Sequence, residues 1–410
     1  MKDGGRSMGG PLSGLRVLDL TRILSGPFTT MMFADLGAEV VKIERPEGGD
    51  LSRGTAPFIE GESYYFISVN RGKKSVTVDL SSPEGAQVIK DLIPECDILI
   101  ENFVPGAMKK FGLDYGTLSE INERVIYCSI SGFGQTGPYS DKPALDIIVQ
   151  AMGGIMSITG EQGGGPVRPG SSLGDIVAGL FSATGILSAV YERERSGKGQ
   201  FIDLSMLDSQ VATLEAAVGR YYSTGDIPGP IGTRHPSFTP FQAFKSKDAW
   251  IVVAIVGGVN DQWPLFCSAI EKVELIDDPR YVDGHSRTLN YEALIPVLQE
   301  AISGNTAEHW LKTFSDLGIA CGPVNTIDRV VDDPQIKHRN TIVKVPHKRI
   351  EPVPVVNTPF KFSRTSPDGL GPAPDLGEHT EEVLVNIAKY SLEKINDLIE
   401  NGVIDSDYSE

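Results

Sequence analysis

Five short apolar runs, each set off from the next by a helix-length stretch, constrain this chain more than any other feature. They are Arg16–Leu20, Glu39–Glu44, Ser75–Leu80, Asp97–Glu101 and Arg124–Ser131. Each is rich in aliphatic and β-branched residues and bounded by turn-forming ones, as buried strands are. Between the first two, Pro27 suits a first helical position, Phe28–Leu36 carries the helix and Gly37 ends it. Such a β-α-β unit predicts a right-handed crossover. Ser81 and Glu84, with Pro83 between them, have capping-box spacing ahead of a helix running to about Ile93. A helix near Tyr115–Asn122 leads into the fifth run. Strands alternating with helices predict an α/β fold, with a doubly wound, mostly parallel sheet covered on both faces.

The alternation ends in a stretch of another kind. A glycine-rich loop, Gly163–Gly170, runs into Ser171–Leu180, and a small-residue and apolar run continues to about Tyr191. Interleaved Gly179, Ser182, Ala183, Gly185 and Ala189 predict a closely packed helix, with Gly197 past its end. Asp175 stands where the loop becomes the helix. Two readings fit that place: a capping side chain, or a carboxylate nucleophile kept anionic by the helix N-terminus. Gln200–Met206 reads as a sixth strand and Leu207–Tyr222 as a helix.

Glycine and proline then cluster in Ser223–Pro240, a linker or exposed crossover. Strand-like Phe241–Phe244 and Ala249–Ile255 follow, then helical Asp261–Ile270, Asn290–Ile302 and Ala307–Leu317. Pro352, Pro354 and Pro359 exclude a regular helix in the next segment, and a helix from about Leu376 to Ile399 closes the chain. Met1–Gly10 reads as a disordered leader and Asp405–Glu410 as a frayed acidic tail. The predicted organisation is a large domain beginning with residues 1–222, a smaller α+β domain over 223–331, and an extended return plus C-terminal helix, 332–410, completing the large domain.

Several functional classes fall away. A net charge of -17 over 410 residues argues against nucleic-acid or anionic-membrane partners. Uninterrupted apolar runs fall short of the ~20 residues of a membrane span, and cytoplasm, or an organelle matrix, is the expected location. Cys96, Cys128, Cys267 and Cys321 form no CxxC pair and read as reduced thiols. The histidines lack ligand spacing, so no metal site is expected. The loop after the first run, Thr21–Pro27, has no GxGxxG. Gly132, Gly134 and Gly137 have that spacing, but Pro138 follows at once, which argues against a bound dinucleotide. Arg71, Lys73 and Lys74 read as solvated surface charge.

Set in order, several stretches resemble one family, the family III CoA-transferases. They are Pro11–Thr21, Asp35–Pro46, Asn70–Ser75, Glu101–Gly106, Ser131–Pro138, Gly232–Pro236 and Gly322–Asn325. The resemblance covers Pro11 to about residue 380. It implies a Rossmann-like large domain, a smaller domain, and a homodimer of two interlocked, ring-like subunits. It implies coenzyme A as co-substrate, with no permanently bound cofactor, and an acyl-CoA and a small carboxylic acid as partners. The family's catalytic Asp falls on Asp175. Arg45 and Lys110 become candidates for the nucleotide end of CoA, with Asn102, Leu24 and Ser25 along its path. Gly257 and Gly258 are candidate oxyanion donors, and Arg168 a candidate for a substrate carboxylate. Within the family, SGFGQTGP (Ser131–Pro138) and PVRPG (Pro166–Gly170) look most like succinyl-CoA:glutarate-type enzymes, implying succinyl-CoA and a dicarboxylate acceptor. The formyl-CoA branch carries a run of glycines where this chain reads Gly232–Pro240, which points away from oxalate and formate. Two alternatives remain: a 2-methylacyl-CoA racemase of the same fold, and a non-enzymatic acyl-CoA binder. The racemase branch has His where this chain has Leu145, which cannot move a proton.

Overall fold

The computed structural model describes residues 9–256, 262–365 and 370–405. Gly257 and Gly258 lie outside the described residues, as do most of the leader and tail. The chain divides into two compact units. One comprises residues 1–155, 168–222 and 338–410; the other comprises 156–167 with 223–337, wider than the 223–331 drawn from composition.

The larger unit is built on six parallel strands: β1 (Arg16–Asp19), β2 (Glu39–Glu44), β3 (Lys74–Thr77), β4 (Ile98–Glu101), β5 (Ile126–Ser131) and β6 (Phe201–Ser205). Their spatial order is β3-β2-β1-β4-β5-β6, all neighbours parallel. In this doubly wound order the chain runs outward one way from β1 and the other way from β4. The loops after these two strands therefore diverge and leave a crevice at their carboxyl ends. Residues alternating along the strands feed two cores, one around Leu18, Val41 and Leu99, the other around Val17, Val40 and Ile100. That two-sided burial explains why the strands read as near-continuous apolar runs.

Local chemistry sets the helices. Helix α1 (Ser25–Asp35) starts earlier than its proline suggested. Helix α2 (Pro83–Leu92) is capped by Ser82, which accepts the Gly85 N–H at 2.9 Å. The expected capping serine, Ser81, instead donates to Asp79. Helix α3 (Asp146–Met152) precedes the 24-residue α4 (Leu173–Ser196), which ends on Gly197 at φ 76°. By length and composition α4 could cross a membrane, though the interrupted run hid this in the sequence. In the fold it packs against α1. Gly179 makes that possible: a Cβ there would meet the Ser25 carbonyl oxygen at 2.9 Å and the Phe28 ring at 3.0 Å. Thr29 Oγ1 donates to the Gly179 carbonyl at 3.0 Å.

Two long helices of the sequence reading are broken. Leu207–Tyr222 becomes α5 (Met206–Ala212) and Ala216–Thr224, with Glu215 left-handed at φ 52° between them. The C-terminal helix becomes Thr380–Asn386 and Leu392–Glu400, with Lys389 at φ 59° and Ser391 capping the second. The first of these pieces ties to edge strand β3, where the Thr77 N–H donates to Thr380 Oγ1 at 3.2 Å. The smaller unit holds three antiparallel strands, Phe241–Lys245, Trp250–Ala254 and Ala320–Pro323, around a core including Phe244, Trp263 and Phe314. The third of these strands carried no periodic signal.

The run Arg71–Lys74 corrects the surface reading. Arg71 and Lys73 are buried at 2 % and 3 % exposure. Arg71 pairs with Asp35 at 2.6 Å and Lys73 with Asp19 at 3.0 Å. Only Lys74 stays partly exposed, between Glu39 and Glu382. Buried carboxylates some 36 and 54 residues away decide the matter, and no local pattern announces them.

Candidate active site

The crevice at the carboxyl ends of β1 and β4 holds a cavity of about 310 Å³. Leu24 reaches it from the loop after β1, Ser25 from the first turn of α1, and Asn102 from the loop after β4. Leu145 and Asp146 reach it from the start of α3, and Asp175 from α4. Four of the sequence candidates thus meet at one place. Asn102 clasps the two loops together: its Oδ1 accepts the Arg22 N–H and its Nδ2 donates to the Arg22 carbonyl, both at 2.8 Å.

Asp175 is the third residue of α4, in its first turn, and Ser172 holds the cap position. The capping reading therefore fails. The cap comes from another helix: Asp146 Oδ1 accepts the Gly174 N–H at 2.9 Å. Gly174 allows this approach, since a Cβ there would meet Val149 at 2.6 Å. The same Asp146 takes Arg168 at 2.7 Å through Oδ2 and Gln150 through both oxygens. Arg168 also donates to Ser172 Oγ at 3.2 Å. Arg168, expected to meet a substrate carboxylate, is thus already engaged by Asp146, which the sequence reading did not single out as a site residue. Only its place directly after Leu145 in a family-like stretch could have drawn notice.

Asp175 itself is partly buried, and its carboxyl accepts no hydrogen bond among the described residues. Burial pushes its carboxyl up to about 7, and the Asp146 charge pushes the same way, while Arg168 opposes them. The helix N-terminus favours the anion, but burial and a like charge outweigh it here. The outcome is a carboxyl that holds its proton more tightly than an ordinary aspartate, facing a cavity with lone pairs unbonded among the described residues. Chemically it can act as a nucleophile or exchange a proton.

A smaller cavity of about 170 Å³ shares Arg22 and Phe103 with the first and is lined also by Arg45, Asp50 and Phe111. Arg22 lies over the Phe103 ring, 4.4 Å from its centre. A cation, an aromatic face and an exposed arginine together suit a phosphorylated, ring-bearing group. Lys110 is exposed at the end of a short helical turn, Ala107–Lys110, and lines neither cavity.

Comparison with known proteins shows the family. A family model described as CoA-transferase family III matches residues 12–380. The human succinyl-CoA:glutarate CoA-transferase is 39% identical over 96% of this chain and 90% of its own length. The acetyl-CoA:oxalate CoA-transferase of Acetobacter aceti is 43% identical over 82% of this chain and 86% of its own. Among solved structures, a CAIB/BAIF family protein from Brucella suis superposes with a TM-score of 0.82 at 36% identity, covering 92% of this chain and 100% of that one.

Proposed function

The chain belongs to CoA-transferase family III, and from that premise we propose that Asp175 becomes acylated while CoA passes from succinyl-CoA to a dicarboxylic acid. The observation that carries this is the unbonded Asp175 carboxyl, raised to about 7, facing the crevice cavity.

The steps follow from what a carboxylate can do. An Asp175 oxygen attacks the thioester carbonyl, the tetrahedral adduct collapses, and the C–S bond breaks. The products are an aspartyl–acyl anhydride and CoA thiolate. The thiolate then attacks the Asp175 carbonyl carbon, expels the donor acid as a carboxylate and leaves an aspartyl-CoA thioester. The acceptor carboxylate attacks that thioester, giving a second anhydride and thiolate again. The thiolate finally attacks the acceptor's carbonyl, forming the new acyl-CoA and freeing Asp175. Each acylation removes the Asp175 charge from beside Asp146, so the repulsion that lifts its pKa is relieved as the bond forms. Splitting one exchange into several displacements keeps the thioester's energy within the enzyme.

The loops bearing Leu24, Ser25 and Asn102 would carry the pantetheine arm, and the Arg22–Phe103–Arg45 cavity the nucleotide end. Lys110 remains a candidate at the outer phosphate, and Gly257 and Gly258 as oxyanion donors. Glutarate and oxalate, named for the two relatives, are both dicarboxylic acids, which supports a dicarboxylate acceptor and keeps oxalate among the acids to be tried. The racemase alternative is disfavoured because Leu145, exposed in the cavity at the place where the racemase branch has His, cannot move a proton. In this reading the working unit is a homodimer. Leu180, Phe181 and Tyr191 on α4 and Tyr221 and Tyr222 stand exposed, apolar surface that a second copy would cover.

Labelled succinyl-CoA trapped with hydroxylamine tests the chemistry. The expected product is a hydroxamate at Asp175, found by peptide mass and missing from Asp175→Ala. A hydroxamate-free enzyme that still transfers CoA would refute the covalent route. A panel of free acids then identifies the acceptor.

A further inference from the structure

The loop between β1 and α1, which lines the reaction cavity through Arg22, Ile23 and Leu24, holds a conformation its own residues disfavour. Ile23 is left-handed at φ 68°, where a β-branched side chain meets the backbone and few such residues are found. Something outside the loop must hold it there. Asp50 accepts the Ile23 N–H at 3.2 and 3.3 Å through its two oxygens. Lys42 donates to the Thr21 carbonyl at 2.8 Å. Lys42 and Asp50 also pair with each other at 2.9 Å, with side chains 0 % and 1 % exposed. Asp50 is itself fixed, accepting the Ser52 N–H at 2.9 Å while its own N–H donates to Glu44 at 2.9 Å. One buried ion pair therefore grips both sides of Arg22, and Arg22 is the residue Asn102 clasps.

We infer that Lys42 and Asp50 are positioning residues for CoA transfer, holding Ile23 left-handed so that Leu24, Ser25 and Asn102 stand opposite Asp175. The paired charges are better compensated than isolated ones would be: burial raises the Asp50 carboxyl, but the Lys42 charge and the Ser52 N–H bring it below its ordinary value. The inference rests on the reading of Asp175 as the reacting group.

The test uses the full chain. Lys42→Met/Asp50→Leu removes the grip and both charges of the pair together, while buried Asp19 keeps Lys73 and Glu44 keeps Arg53. The expected result is a fall in kcat of about tenfold or more, because displaced lining groups no longer orient the thioester. Adding Ile23→Gly to the same chain should recover most of that loss, since glycine holds φ 68° without steric cost. The Tm should stay where the double variant put it. Lys42→Met/Asp50→Asn, which keeps an acceptor oxygen for the Ile23 N–H, should lose less, and it carries the same comparison if the leucine version does not fold. Activity that follows Tm through all the variants, or that glycine leaves unrestored, overturns the inference. Asp175→Ala assayed alongside separates the two claims: if it stays active the Asp175 reading fails. If it is dead while the Lys42/Asp50 variants match the parent's kcat, only the positioning role fails.

Discussion

Two aspartates near the carboxyl end of the sheet are treated in opposite ways. Asp19 ends β1, is fully buried, and accepts from Thr21, Thr30 and Lys73. Burial alone would raise its carboxyl, yet Lys73, Lys42 and the two hydroxyls hold it well below the usual carboxylate range. Asp175 is less buried, accepts no bond among the described residues, and faces another carboxylate, so its pKa rises. Burial by itself therefore does not mark a reactive acid. What separates the two is compensation: Asp19 is charge held still for structure, and Asp175 is charge left unmatched and available for chemistry.

Four measurements bear on that contrast. The largest effect is expected from Asp175→Ala, which should cut CoA-transfer kcat by at least about a thousandfold while leaving the urea midpoint unchanged or higher. A loss of stability instead would make Asp175 structural like Asp19. Next, Lys73→Met strands the Asp19 charge in the core and should cost about 3–5 kcal/mol in urea unfolding; a cost under about 1 kcal/mol would deny that the pair is compensated. Third comes the pH dependence of stability. An unfolded aspartate titrates near 4 and Asp175 at about 7 in the fold. Between those values the folded chain holds more protons than the unfolded one, so stability falls as pH rises through that window. Asp175→Asn should erase that fall, standing on the order of 4 kcal/mol above the parent near pH 8 and within a few tenths of a kcal/mol of it near pH 4. Thermal melts across pH read the difference, and parallel curves would contradict it. The smallest effect is expected from Asp146→Asn. Removing the like charge, with Arg168 left unpaired, should move the acidic limb of the kcat profile down by roughly one pH unit or less.

The same contrast explains what could be read in advance. The parallel sheet, the helix that begins near Asp175 and the small residues that seat Gly179 on α1 were legible because each is a pattern of neighbours in the chain. Leu24, Ser25, Asn102 and Asp175 were legible as a set only through the family resemblance, since they lie on three separate elements. The breaks at Glu215 and Lys389 were missed because an amphipathic pattern continues across a single left-handed residue. Asp146 was missed because a helix-starting aspartate looks like a capping residue anywhere in a chain, and here it caps a different helix.

The order of residues along the chain was enough for the α/β alternation and for a carboxylate where the glycine-rich loop becomes α4, because strand and helix periodicity are local properties; the crevice itself follows from the strand order. The tertiary structure alone decided which charges are silent and which are reactive. Charge compensation is a matter of distance in space, and the partners of Asp19, Asp50 and Asp175 come from segments brought together by packing. A carboxylate's pKa is set by those neighbours and by the water they exclude, and neither can be read from the residues beside it in the chain.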